Sequence, residues 1–103
     1  MNEIVSVFGF GSFFCGKKNA NDIDLLLLHE STRPASCQFA IDCKSHFLRY
    51  LPRADVVMLS NAEASRNGFI MRSAAIALGT IHFDNCEMQV RDMVQTILSR
   101  SPY

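Results

Sequence analysis

The sequence has no surplus of either charge. Its ten basic and ten acidic residues cancel, so nothing in the overall charge draws it to nucleic acid or to an anionic membrane surface, although local charge can still act. No apolar run approaches the roughly 20 residues a membrane span requires. The opening "MNEIVSVFGF" lacks a basic leader and carries Glu3, unlike a secretory signal. The expectation is a cytoplasmic protein with reduced thiols. Cys15, Cys37, Cys43 and Cys86 form no CxxC pair. Cys43 and His46 share a helix-face spacing, but Cys37 would point elsewhere, so buried thiols explain the cysteines better than zinc. Repeats and low-complexity segments are also missing.

What is present is a chain of 103 residues, 49% of them apolar. That fits one domain, residues 1–103, able to bury roughly 60–70% of its unfolded surface. "EIVSVFGF" is β-branched and aromatic, predicting a strand over Ile4–Phe8 that Gly9 and Gly11 break. Ser12 is a good N-cap for one or two helical turns. "KKNAN" reads as a turn, and "IDLLLL" as a central strand, apolar on both sides.

"ASCQFAIDCKSHFLRYL" has helical period. Phe39, Cys43, Phe47 and Tyr50 fall on one face, and Asp42, Ser45, His46 and Arg49 on another. Pro52 stands just beyond it. "ADVVML" reads as a third strand. Ser60 and Glu63 form a capping box that starts a helix, and Asn67-Gly68 interrupts it. "FIMRSAAIAL" resumes helical period with Gly79 to close it. "TIHF" is a short fourth strand. "DNCE" looks like a second capping box, and Cys86, Val90, Met93, Val94, Ile97 and Leu98 then form an apolar stripe. The stripe can pack on the domain's own sheet or on a partner. The pattern predicts an α/β (α+β) fold with a small mixed sheet of about four strands flanked by helices.

Two carboxylates stand in this apolar frame. On a strand, Asp22 and Asp24 leave the same face. A charge inside "IDLLLL" is costly unless paired or metal-bound. Two like charges raise each other's proton affinity, and a divalent cation removes the conflict. Magnesium takes hard oxygen ligands, often one or two carboxylates plus substrate phosphates. Gly9 and Gly11 allow close backbone approach, and a helical turn opened by Ser12 would offer free N–H groups to phosphate. Lys17 and Lys18, on the connection, can reach a triphosphate. Asp55, opening a third strand, could complete a two-metal seat and serve as metal ligand or base. "GFGS" is no dinucleotide fingerprint, because Phe14 holds the place of the third glycine.

Gly-Ser, about ten residues, Asp-hydrophobic-Asp, then an aspartate on a later strand: this order resembles the polymerase-β-like nucleotidyltransferases, and most closely the minimal nucleotidyltransferases of bacteria and archaea. Ser12 and Gly16 match the family's serine and the glycine four residues on. "NDIDLLLL" resembles the metal strand, and "ADVVMLSNAEASRNGFIMRSAAIALGTIHF" the later region. The resemblance implies the polymerase-β-like fold, Asp22, Asp24 and Asp55 as catalytic ligands of two Mg2+ ions, and Gly11, Ser12, Gly16, Lys17 and Lys18 at the nucleotide. It departs at Phe13 and Phe14, where the family carries a basic and a small residue, and in the helix many members place before the first strand.

Two functions are expected alternatives. One is transfer of a nucleoside monophosphate, AMP from ATP, to a hydroxyl on a protein, a small molecule or an RNA end. The resemblance implies an antitoxin role toward a helical toxin of the higher eukaryote and prokaryote nucleotide-binding (HEPN) type. The other is a binding module with little or no catalysis, covering a partner with its C-terminal helix or an exposed sheet edge.

Overall fold

β1 (Ile4–Phe10) alternates buried and half-buried side chains, as a strand between two layers must. In the computed structural model, which describes residues 3–16 and 22–100, it pairs antiparallel with β2 (Ile23–His29). β2 also pairs, in parallel, with β3 (Ala54–Ser60). β4 (Ile76–His82) lies antiparallel on the other side of β1, giving a four-stranded mixed sheet of order β3-β2-β1-β4. The leucine run is therefore central, and Leu25, Leu26 and Leu27 are wholly buried.

α2 (Pro34–Tyr50) and α5 (Cys86–Leu98) cover one face. Phe39, Ala40, Cys43 and Phe47 of α2 and Val90, Val94 and Ile97 of α5 meet Val5, Val7, Leu25, Leu27 and Ile81 of the sheet. Burying a side chain such as Phe47 contributes about 1.5–3 kcal/mol. The stripe on α5 is therefore core of this domain, with Leu98 and Met88 left exposed. Among the described residues no helix is long and apolar enough to cross a membrane.

The opposite face is covered more lightly. α3 (Asn61–Asn67) starts at the expected capping box, in which Ser60 Oγ accepts from the Glu63 N–H and Glu63 accepts from the Ser60 N–H. Gly68, left-handed at φ +63°, ends it and leads into α4 (Phe69–Ser73). The Phe69 ring meets the Phe10 ring edge-on at 5.2 Å, which fastens α4 to β1.

Three local expectations need correction. The helix after Gly68 does not run to Gly79. Ala74 turns left-handed at φ +54°, the Ala75 N–H bonds back to the Ile70 carbonyl, and the chain leaves as β4. Pairing with β1 satisfies backbone groups that a helix would leave stranded at the sheet edge. Gly79 is a strand glycine at φ +144°, with Met93 of α5 3.1 Å from where a Cβ would stand. The second capping box does not form either. Asn85 caps α5 without a side-chain bond. Glu87 instead accepts from the Tyr50 hydroxyl at 2.6 Å, and Gln89 ties α5 to the His82 backbone. Finally, Ser12 lies inside the first helical turn, α1 (Gly11–Phe14), whose N-cap is Phe10.

Candidate active site: carboxylates against a glycine turn

Strand polarity gathers the motif at one end of the sheet. β1 finishes there at Phe10, and β2 and β3 start there. Phe10 stands opposite Asp24, and Asp24 opposite Asp55. Alternation puts Asp24, Leu26 and Leu28 on the face away from α2 and α5, with Asp55, Val57 and Leu59 beside them. Asp24 and Asp55 are thus lateral neighbours on strands roughly 4.8 Å apart. Asp22 stands one residue before β2, exposed. Asp55 is exposed as well, and Asp24 half-buried.

The glycine turn closes on the same carboxylate. A Cβ added at Gly11 would collide with Oδ2 of Asp24, and Gly11 holds φ +77°. Conformation and space both require glycine here. The turn after β1 and the acidic strand β2 are therefore in contact through Gly11 and Asp24, thirteen residues apart in sequence. Gly16 differs: it is left-handed at φ +81° with open space around it, so conformation alone explains it. Gly9 differs again. The Phe14 ring lies against it, filling the space a Cβ would take. The close approach that Gly9 permits is thus made by the chain's own ring. Phe13 and Phe14 pack edge-to-face at 5.1 Å; Phe14 belongs to the core and half-buried Phe13 packs against it. These two phenylalanines anchor the turn. Lys17 and Lys18 lie outside the described residues.

Electrostatics single out Asp24. Its carboxyl is held above the ordinary aspartate range, first by burial, then by the Asp55 charge, then by the Asp22 charge. Both aspartates thus reach Asp24 electrostatically. Among the described residues no three or more His, Cys, Asp or Glu side chains converge as a ready metal cage. A magnesium ion held by Asp24 with Asp55 or Asp22 would take its remaining ligands from substrate oxygens and water, which is its usual habit.

Other parts of the molecule suit ligands less well. Cys43 faces the core, and burial, then Cys86 and Asp42, push its thiol up to about 12. It is a poor metal ligand at neutral pH. A cavity of about 360 Å³ between Leu28 and the α3–α4 hairpin carries Asn61 and Ser65 but no titratable side chain, and lies at the other end of β2 from Asp24. Two features near the carboxylate end escaped sequence reasoning. The Phe10–Phe69 pair walls the site, and the Arg100 guanidinium lies 5.7 Å from the Phe14 ring. No local pattern signals either contact, because each joins segments distant in sequence.

Comparison of the chain with protein-family models, with characterised proteins and with solved structures finds no match.

Proposed function

We propose that this protein is a minimal nucleotidyltransferase, moving a nucleoside monophosphate from a triphosphate, ATP in the first instance, to a hydroxyl. One observation carries the proposal: the Gly11 turn rests on the Asp24 carboxylate while Asp55 stands beside it on the neighbouring strand. The motif's three pieces, separate in sequence, are contiguous in space. The raised proton affinity of Asp24 supports the same reading, since like charges gathered at one place suit a cation.

In this reading Asp24, with Asp55 or Asp22, would hold Mg2+, and Gly11, Ser12 and Gly16 would line the path of the phosphates. Mg2+ supplies charge neutralisation at the triphosphate and acidifies an acceptor hydroxyl. The acceptor oxygen attacks the α-phosphorus, the bond from that phosphorus to the bridging oxygen breaks, and pyrophosphate leaves. Asp55, exposed at the mouth of β3, takes the acceptor's proton. A protein acceptor, as in an antitoxin acting on a helical HEPN-type toxin, is compatible with a site so open. The alternative of a binding module working through its C-terminal helix has less support, because the apolar face of α5 is spent on the core.

The test is incubation with ATP labelled at the α-phosphate, with and without Mg2+, in the presence of candidate protein and RNA acceptors. Mass spectrometry should find an acceptor heavier by one nucleoside monophosphate, with matching pyrophosphate release. Label transfer that persists in the Asp24→Ala variant would sink the assignment.

A further inference from the structure

We propose that the free edge of β3 docks the acceptor: an extended protein segment, added as a further strand, that sets a serine or threonine hydroxyl beside Asp55. The inference rests on the nucleotidyl transfer proposed above. β3 is an outer strand, paired with β2 alone. The Ile23 N–H donates to the Arg53 carbonyl, which fixes the alternation that follows. Main-chain groups of Asp55, Val57 and Leu59 turn to β2, and those of Ala54, Val56, Met58 and Ser60 turn outward. The Leu51 carbonyl takes the Ala54 N–H, and Glu63 takes the Ser60 N–H. Between them, the N–H and C=O groups of Val56 and Met58 have no partner among the described residues. Val56 is only 8% exposed, so water serves its main chain poorly, and an unpaired polar group there is costly. The β4 edge is treated differently, since Gln89 takes up the His82 N–H and C=O.

What borders the gap identifies the occupant. A row of alternate main-chain donors and acceptors is answered by another extended backbone. Exposed Asp55 stands between Ala54 and Val56, on the face it shares with Asp24. A residue set against it in an added strand lies roughly 4.8 Å to its side, with its side chain on the same face. A serine or threonine hydroxyl stands one bond from Cβ, as the aspartate carboxyl carbon does, so it is level with Asp55; a tyrosine hydroxyl would pass above. The hydroxyl oxygen bonds the α-phosphorus, pyrophosphate leaves with the electrons of the broken bond, and the proton goes to Asp55. An acidic residue in that place would be repelled. The strand's other face meets apolar surface. α2 turns Tyr50 to α5, and α5 lies over β4, where Met93 stands beside Gly79. Ile41 and Leu48, exposed on the opposite flank of α2, overlook β3.

Two blocked heptapeptides test this, each with lysine at both ends, threonine at the centre and valine between. In the second, the two valines beside the threonine are N-methylated, which removes the donors an edge would pair with. Amide NMR signals of Val56 and Met58 should shift with the first peptide and stay put with the second, whether or not nucleotide is present. Met58→Pro deletes an outward N–H without touching the ladder to β2. It should weaken binding of the first peptide about tenfold, with circular dichroism and MgATP affinity as in the wild type. With ATP labelled at the α-phosphate and Mg2+, the threonine should gain a nucleoside monophosphate. Binding at Val56 and Met58 without transfer would support the docking edge and count against the proposed activity. No binding of the first peptide, equal binding of the methylated one, or transfer to both peptides alike would each overturn the docking edge and leave the activity standing or falling on the MgATP measurement.

Discussion

The two ends of the sheet treat polar side chains in opposite ways. Where β1 starts and β2 and β3 finish, Glu3, His29, Ser36 and Ser60 are all buried. His29 Nδ1 donates to the Ser31 carbonyl at 2.8 Å, Ser36 Oγ accepts from the Ser31 N–H at 3.1 Å, and Ser60 closes the capping box. Glu3 Oε2 lies 3.7 Å from the Arg33 guanidinium, while its Oε1 has no hydrogen-bond partner among the described residues. These groups tie β2 to α2 and β3 to α3. At the other end, Asp22, Asp24 and Asp55 are more exposed, carry one sign, and raise the proton affinity of the innermost of them. Apart from Glu3 Oε1, the polar groups described in the first set answer one another or the backbone. Those in the second share one charge and, under the proposed function, would be answered by a cation. Burial and hydrogen-bond partners both separate the two sets.

The comparison yields predictions that differ in sign as well as size. Ser36→Ala should destabilise the protein by about 1 kcal/mol, read from urea denaturation, because it removes the partner of the half-buried Ser31 N–H. Gly11→Ala should lose about 1–3 kcal/mol through its left-handed backbone, and should also lower magnesium-dependent nucleotide affinity by pushing Asp24 aside. Equal effects from Gly16→Ala, at an equally left-handed but open position, would show that the contact with Asp24 is immaterial. Ser60→Ala should cost about 1 kcal/mol, the ordinary value of an N-cap.

Asp24→Asn belongs to the other end of the scale. At neutral pH without divalent cation it should leave stability unchanged or raise it by at most about 1 kcal/mol. The sign follows from linkage. The folded protein binds the Asp24 proton more tightly than the unfolded chain, so this group's contribution is full below the ordinary aspartate range and is lost as pH rises through the raised value. Glu63 behaves oppositely. Bonds from Ser60 hold its carboxyl below the ordinary range, so its contribution is present above that range and is lost on acidification. Urea titrations of Asp24→Asn and Glu63→Gln across the acid range should change slope in opposite directions, and matching changes would remove the distinction between the two ends.

Much of this was legible in the chain. The leucine strand, the long α2 helix and the Ser60–Glu63 box announce themselves through period and capping chemistry. Of β4 only the end, "TIHF", was legible, because residues 69–78 carry a helical apolar pattern and the unpaired edge of β1 decides against it. The order of Gly11, Asp24 and Asp55 pointed to a common site. Their contiguity depended on β2 and β3 being parallel neighbours in one register, which no local signal encodes. The role of Gly9 was similarly hidden, since Phe14 must fold back before its ring can be seen to need that glycine.

The proposed function requires the Asp24 end of the sheet to take a metal-bound triphosphate. Isothermal titration of ATP into the wild type and into Asp24→Ala, each with and without Mg2+, tests it most directly. The account predicts heat of binding for the wild type with Mg2+, much weaker binding when Mg2+ is withheld, and none for Asp24→Ala under either condition. Equal binding by the variant, or wild-type binding indifferent to Mg2+, would contradict it.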